Sequence, residues 1–479
     1  MRGELGELMT REARVADERL ALRLAIGAAT TRAVLSYPRI DLDQGRPRVP
    51  SFYGLEVLEA AEGALPGFDE LGKKADVTGA ARIGWPAPTD RERAIDEAEH
   101  DLALLDGILR PHEQAPAGAA VYLLAANPHL ARSLRFRARR WTIASWKPAD
   151  GLIASTEQGK AAIAAHAPTV RSFSPTALEQ LAQCPYRFAL RAIVRLEPRE
   201  QPEAIETLGP LERGSLVHDV HFELLSELRE AGELPVRDFE RVRDRLDAVL
   251  ARVAARYRDD LWPAIDRVWD DGIAAIGADL REWVRRMPED LTWTPQRFEL
   301  AFGLADNKRG GIGATDPASV AAPVDLGLGL SLRGSIDLVE QSIDGTLRAT
   351  DYKTGVARVK PEAVIANGTS LQPVLYALVL EKLFTGIEVE AGRLYYCTSR
   401  GEFRDVTVAL DDVARNAAKL LAETLAHHFE KAFFPAAPSK GACTYCDYRT
   451  ICGPYEELRT EQKRKREPLV QLQKLRDMR

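Results

Sequence analysis

The chain has 479 residues, 45% of them apolar and 28% charged, and carries a net charge of −6. That length holds two or three domains with a sizeable core, and mild acidity gives no overall basic field toward nucleic acid or an anionic membrane. No apolar run reaches the ~18–20 residues that span a bilayer. The charged N-terminal stretch lacks the apolar segment of a secretion signal, and five cysteines are too few for a disulfide scaffold, so a folded cytoplasmic protein is predicted.

Residues 9–37 read as a helix, LALRLAIGAA, running into a strand, AVLSYP, that stops at Pro38. Segment 46–54 is proline-rich and reads as irregular. From about 55 to 170 the pattern is mainly helical, with apolar residues of 94–109 recurring at threes and fours. Within it, 132–141 places five arginines beside Phe136 and Trp141. That stretch is either a solvated helix face or a phosphate-contacting face with two stacking rings.

A new unit is predicted from about 171. Ser174–Pro175 starts a helix that carries Cys184. GSLVHDVHFELLSEL is an amphipathic helix, and 236–287 is helical and charged. The period then changes from 3.6 to 2 at strand 296–304. After a Gly/Asp/Asn-rich loop, 306–317, the segments VDLGLGLSLRGSIDLVE and GTLRATDYKTG read as a hairpin turning at Asp344–Gly345. A helix over LQPVLYALVLEKLF, a strand over EAGRLYYCTS, a helix over 411–432, a cysteine cluster and a basic tail complete the order. No internal repeat is present.

Spacing around the hairpin carries the chemistry. Residues two apart on a strand share a face, so Asp351 and Lys353 project together, and the hairpin brings Asp337 beside them. Two carboxylates and an ammonium on one face suit a hard divalent cation with an electrostatic partner. His218, Phe222 and Leu225 share one face of the upstream helix, and Gln372 and Tyr376 lie one turn apart on the downstream helix. A histidine so placed is either a packed core residue or a ligand.

The cysteines are unevenly placed. Cys443, Cys446 and Cys452 lie within ten residues, Cys184 lies far upstream, and Cys397 falls on a predicted strand, as a core residue. In a reducing compartment such a cluster reads as metal-binding. Three clustered thiolates plus a distant fourth suit an iron–sulfur cubane; zinc, more often held by two paired CxxC units, is the alternative.

The ordered set GxxxH, GxxD, DxK and QxxxY resembles the PD-(D/E)XK nucleases of the RecB-like branch. The matching segments are ERGSLVHDVHFELL, LRGSIDLVE, TDYKTG and LQPVLYALVL, within roughly 171–455. The resemblance implies an α/β, restriction-endonuclease-like core with a mixed central sheet flanked by helices. It implies one or two Mg2+ (or Mn2+) ions held by Asp337 and Asp351, with His218 and the Tyr352 carbonyl nearby. Lys353 would orient or activate the attacking water, and Gln372 and Tyr376 would support the site and the DNA strand. Many relatives carry an arginine just after the strand aspartate and an acid two further on; here those positions are Leu338 and Glu340.

The cysteine arrangement is similar to that of the AddB-type iron–sulfur nucleases. This implies a [4Fe–4S] cluster on Cys184, Cys443, Cys446 and Cys452, exonuclease action on a single-stranded DNA end in double-strand break repair and recombination, and an AddA-like helicase partner. The stretch ERLALRLAIGAATTRAVLSYPR is similar to the last conserved segment of superfamily-one helicases, with Ala28 in the place of an arginine. With no G-x-x-x-x-G-K-[ST] loop to cradle ATP, this region is expected to be non-motor. The expected organisation is a helicase-like remnant over 1–60, a helical connection over 61–170, the nuclease domain with its clasp over 171–455 and a basic tail over 456–479. The whole is either a fragment of a longer AddB-like chain or a short stand-alone homologue. A non-catalytic DNA-binding scaffold that holds a helicase, or a zinc-containing interaction protein, are the competing readings.

Overall fold

The computed structural model describes residues 11–38, 40–41, 46–48, 50–65, 67, 70–71, 85, 87–109, 116–197, 207–304, 315–452, 455–463 and 465–479. Residues 1–10, most of the predicted loop 306–317 and Arg464 of the basic tail lie outside them. The chain divides into two compact units, residues 1–134 and 135–479, and helix Pro128–Arg140 runs across the division.

In the first unit, helices Arg11–Gly27, Phe52–Glu62, Glu97–Leu109 and Ala119–Ala126 account for the expected helical pattern. Its small core joins Leu104, Leu105, Ala119 and Leu123. The strand expected at AVLSYP does not form. Val34 and Leu35 are exposed, and no partner strand pairs with the segment among the described residues, so strand propensity alone does not order it. Segment 46–54 is less irregular than expected, since a helix begins at Phe52 with Ser51 as its cap.

The second unit is built on five strands: β1 (Trp293–Phe302), β2 (Gly334–Ser342), β3 (Leu347–Lys353), β4 (Val389–Tyr396) and β5 (Asp405–Ala409). They lie side by side in sequence order. All neighbours are antiparallel except β3 and β4. That parallel pair needs a crossover, and helix α5, at Gln372–Leu383, provides it. Of the other helices in this unit, those that bear on the sheet are labelled in chain order α1 (Pro175–Gln183), α2 (Pro210–Glu230), α3 (Phe239–Leu261), α4 (Asp266–Arg286), α6 (Asp412–Glu430) and α7 (Glu467–Asp477). This mixed sheet between helical layers is the restriction-endonuclease-like core that the motifs imply.

Each sheet face has its own core. Leu178 of α1, Leu375 and Val379 of α5 and Leu421 of α6 cover the face that shows Leu347 and Ala349. Leu224, Val249 and Trp283, from α2, α3 and α4, cover the face that shows Leu338 and Tyr352. The hairpin turns at Gly345, in the left-handed region at φ 91, as Asp344–Gly345 predicts. Its first strand begins only at Gly334, because Val324–Asp325 and Ser331–Leu332 form a separate short ladder. The segment read as a basic tail forms helices Glu456–Gln462 and α7, and Leu469 and Leu472 pack against Trp146 and Phe433.

Candidate active site

Strand pairing places the acidic residues first. The β2–β3 ladder ends at Leu338 opposite Thr350, so Asp337 and Asp351 fall one position further on. There Asp337 Oδ2 accepts the Tyr352 N–H at 2.8 Å. Both carboxylates are buried. Alternation on β3 puts Asp351 and Lys353 on the α5 face together, as their spacing predicts.

Helix α5 closes that face. Gln372 Nε2 donates to Asp351 Oδ1 at 2.8 Å, and Lys353 Nζ donates to Gln372 Oε1 at 2.6 Å. Lys353 also pairs with Asp351 Oδ2 at 2.5 Å. One amide thus bridges both members of the D-x-K motif. Gly392 permits this placement: a Cβ there would stand 1.9 Å from the Pro373 carbonyl oxygen, so only glycine lets the first turn of α5 lie this close to β4. Tyr376 is buried one turn on, its hydroxyl 3.6 Å from where a Cβ on Gly334 would stand.

His218 approaches from α2. Its Nδ1 lies 3.5 Å from Asp337 Oδ2 and 3.6 Å from Glu299 Oε1. Glu299 lies outside the four sequence motifs, yet ligand atoms of His218, Glu299 and Asp337 all lie within 4.8 Å of one another. Glu299 sits on β1 at φ 50, and Ser335 donates to its Oε2 at 2.8 Å. The face alternation slips at this point. Phe298 and Leu338 pack toward α2–α4, whereas Leu300 and Ile336, two residues along each strand, pack toward α5. Such an irregularity re-aims side chains, and here Glu299 and Asp337 meet His218. The one sequence signal for Glu299 was an acid inside an otherwise apolar strand run, FELAF.

The electrostatics follow from burial and crowding. Burial pushes the Asp351 carboxyl up to about 6, with Lys353 opposing and the Asp337 charge adding. Burial also works to raise Asp337, but His218, the Tyr352 amide and Lys353 carry it below the usual carboxylate value. For His218, burial favours the neutral ring, yet Asp337 and Glu299 carry it up to about 10. Burial likewise opposes the Lys353 charge, and Asp351 outweighs it, so the ammonium is held more firmly than usual. Burial, then the Asp351 and Asp337 charges, raises Tyr376 well above its ordinary value, so its hydroxyl keeps its proton.

The reverse face of the same two strands is different. Arg348 Nε and Nη2 each donate to Glu340 at 3.0 Å, Arg393 Nη2 donates to both carboxylate oxygens at 3.2 and 3.0 Å, and Thr350 Oγ1 donates at 2.5 Å. Glu340 is thus enclosed in a buried network, and Leu338 is core. Neither faces the cluster around Asp337.

The four expected cysteine ligands gather near the end of α1. Cys184 caps that helix, and Ser439 N donates to Gln183 O at 2.8 Å, just before the segment that carries Cys443, Cys446 and Cys452. Burial raises the Cys184 thiol, and raises Cys443 to about 11 and Cys452 to about 12, with Cys184 contributing to both. All are free thiols. Among the described residues, no three of these sulfurs lie within 4.8 Å of one another. Arg476 is tucked against Cys184 and donates to the carbonyls of Ala182, Gln183 and Ala437, and burial lowers its pKa to about 10. Cys397 is buried in the core. In the basic stretch 132–141, Arg140 is buried and pairs with Glu456 at 2.7 Å, so it is no part of a solvated face, while Phe136 is exposed.

The fold and the motif geometry define a nuclease architecture. The chain belongs to the PD-(D/E)XK nuclease superfamily, whose profile matches residues 172–453, more than half of its length. No curated protein matches the chain. No helix among the described residues is long and apolar enough to cross a membrane.

Proposed function

We propose that the chain is a divalent-metal-dependent DNA nuclease of the AddB-like kind. The observation that carries this reading is the crowding of three carboxylates, Asp337, Asp351 and Glu299, against Lys353 and His218 in a largely buried place. Three acids against two cations leave one negative charge without a match, which a bound cation would offset. The donors are carboxylates and an imidazole, which fit Mg2+ or Mn2+. Asp337, Asp351, His218 and the Tyr352 carbonyl would hold the ion, with Glu299 beside them. A bound ion would polarise the scissile phosphate and offset its developing charge.

The chain's own groups do the rest. Lys353 stays charged at neutral pH, so it serves as an electrostatic donor to the phosphate and orients the attacking water. Gln372 fixes the Lys353 ammonium relative to Asp351 and leaves it fewer rotamers to search. Tyr376, held protonated, offers a hydroxyl donor toward the strand.

Cys184, Cys443, Cys446 and Cys452 are assigned to a structural [4Fe–4S] cluster. Three clustered thiolates with a distant fourth suit a cubane, whereas zinc is more often held by two paired CxxC units. Thiols that burial keeps protonated, as it does Cys184, need a cationic centre to deprotonate them, and Arg476, bonded among the described residues to carbonyls, is a cation that a thiolate cluster would compensate. A role in break repair, a single-stranded DNA end as substrate and an AddA-like helicase partner rest on the family resemblance. The test is Mg2+-dependent digestion of labelled single- and double-stranded DNA by wild type and Lys353→Ala, with iron and sulfide analysis of wild type and Cys184→Ala. Cleavage that survives in the Asp337/Asp351 double alanine variant would sink the nuclease reading.

A further inference from the structure

The N-terminus of α5 needs a cap from elsewhere. The first four N–H groups of a helix have no partner within it, and Leu371, at the cap position, has no side chain that can accept. Glu179 of α1 supplies the acceptor: its Oε1 takes the Leu371 N–H at 2.9 Å, and the Gln372 N–H also acts on its carboxylate. A carboxylate at this end also meets the positive pole of the helix dipole. The next link is the Gln372 side chain, which bridges Asp351 and Lys353. The chain of contacts therefore runs from the Glu179 carboxylate through the Leu371 and Gln372 backbone to the amide that sets the D-x-K pair.

Glu179 is itself firmly held. Leu178 and Leu181 on either side of it are fully buried. The far end of α1 is tied by Arg476, which donates to Ala182 and Gln183, so the helix cannot slide along its axis. Glu179 is half-buried between these leucines, and burial raises its carboxyl to about 7, with the Leu371 amide and Lys353 opposing.

We propose that Glu179 is a positioning residue of the nuclease site: by capping α5 from α1 it fixes the Gln372 amide between Asp351 and Lys353. This rests on the nuclease reading for its effect on rate but not for the cap itself. Two readouts separate them. In Glu179→Ala, hydrogen exchange at the Leu371 and Gln372 amides should accelerate while the core strands keep their protection, and kcat should fall roughly 10–100-fold with KM little changed. Glu179→Gln keeps a carbonyl acceptor and should recover most of both losses. The Glu179→Ala/Gln372→Ala double variant should be no slower than Gln372→Ala alone, because both act through one amide. Wild-type exchange at Leu371 in Glu179→Ala would overturn the cap, and losses that multiply in the double variant would overturn the route through Gln372. A wild-type protein that cleaves nothing would count against the nuclease reading, and the exchange result would still decide the cap.

Discussion

The two faces of the β2–β3 hairpin hold buried acids in opposite ways. On the reverse face Glu340 has two arginines and a threonine, and every oxygen is engaged. At the ends of β2 and β3, Asp337 and Glu299 share one histidine, His218, and Asp351 beside them pairs with one lysine. Burial works to raise both, yet the two arginines carry Glu340 below its ordinary pKa, whereas Asp351 is raised to about 6. A fully matched buried charge holds a fold together, whereas an unmatched one marks a place prepared for something else.

The largest effect should come from the unmatched face. Asp337→Ala, Asp351→Ala and Lys353→Ala should each lower single-turnover cleavage by roughly three orders of magnitude, with melting temperature changed little. Collapse of the fold in these variants would erase the contrast between the faces.

Glu340→Ala should do the reverse. It leaves the buried Arg348 and the half-buried Arg393 without their carboxylate and should cost about 3–5 kcal/mol of stability, read by urea denaturation. The same pairing has a pH signature. Because the folded-state pKa of Glu340 is depressed below 4.5, its stabilisation is present above that value and is lost as pH falls through the depressed one. The stability gap between wild type and Glu340→Gln should therefore narrow on acidification; a gap that widens would show the sign to be wrong.

Gln372→Ala should sharpen the comparison at intermediate size. Divalent-ion affinity should persist while cleavage slows roughly 10–100-fold, since the carboxylates remain and only the link to Lys353 is lost. The smallest effect belongs to Thr350→Val, which deletes the hydrogen bond Thr350 donates to Glu340 and the one it accepts from Arg393 Nε. It should cost about 1 kcal/mol of stability and leave cleavage untouched, and a slowed reaction there would mean that the two faces communicate.

The motif residues were legible because local rules place them. Asp344–Gly345 sets the turn, the turn sets the register, and the register brings Asp337 to Asp351. Helical spacing did the same for His218 and for Gln372 with Tyr376. Glu299 was not legible, because its role depends on which strand lies beside β2 and on a backbone irregularity at its own position. Glu340 lies three residues from Asp337, an odd spacing that turns it to the other face with Leu338, as plain strand alternation dictates. The strand expected at AVLSYP failed for a related reason: a strand needs a neighbour, and spacing within a segment does not provide one.

The contact between Glu179 and Leu371 also bears on the order in which the molecule is made. The hairpin that pairs Asp337 with Asp351 closes over a few residues, but the cap of α5 joins positions 192 apart. At roughly 5–20 residues per second, the helix bearing Glu179 leaves the ribosome about 10–40 s before its partner exists. During that interval its apolar side, with Leu178 and Leu181, has no sheet to cover. The nascent chain thus waits with an open groove, and the acidic cluster is assembled before the piece that steadies it can dock. Slow stretches of translation placed between residues 184 and 371 would lengthen that wait and raise the yield of misassembled protein.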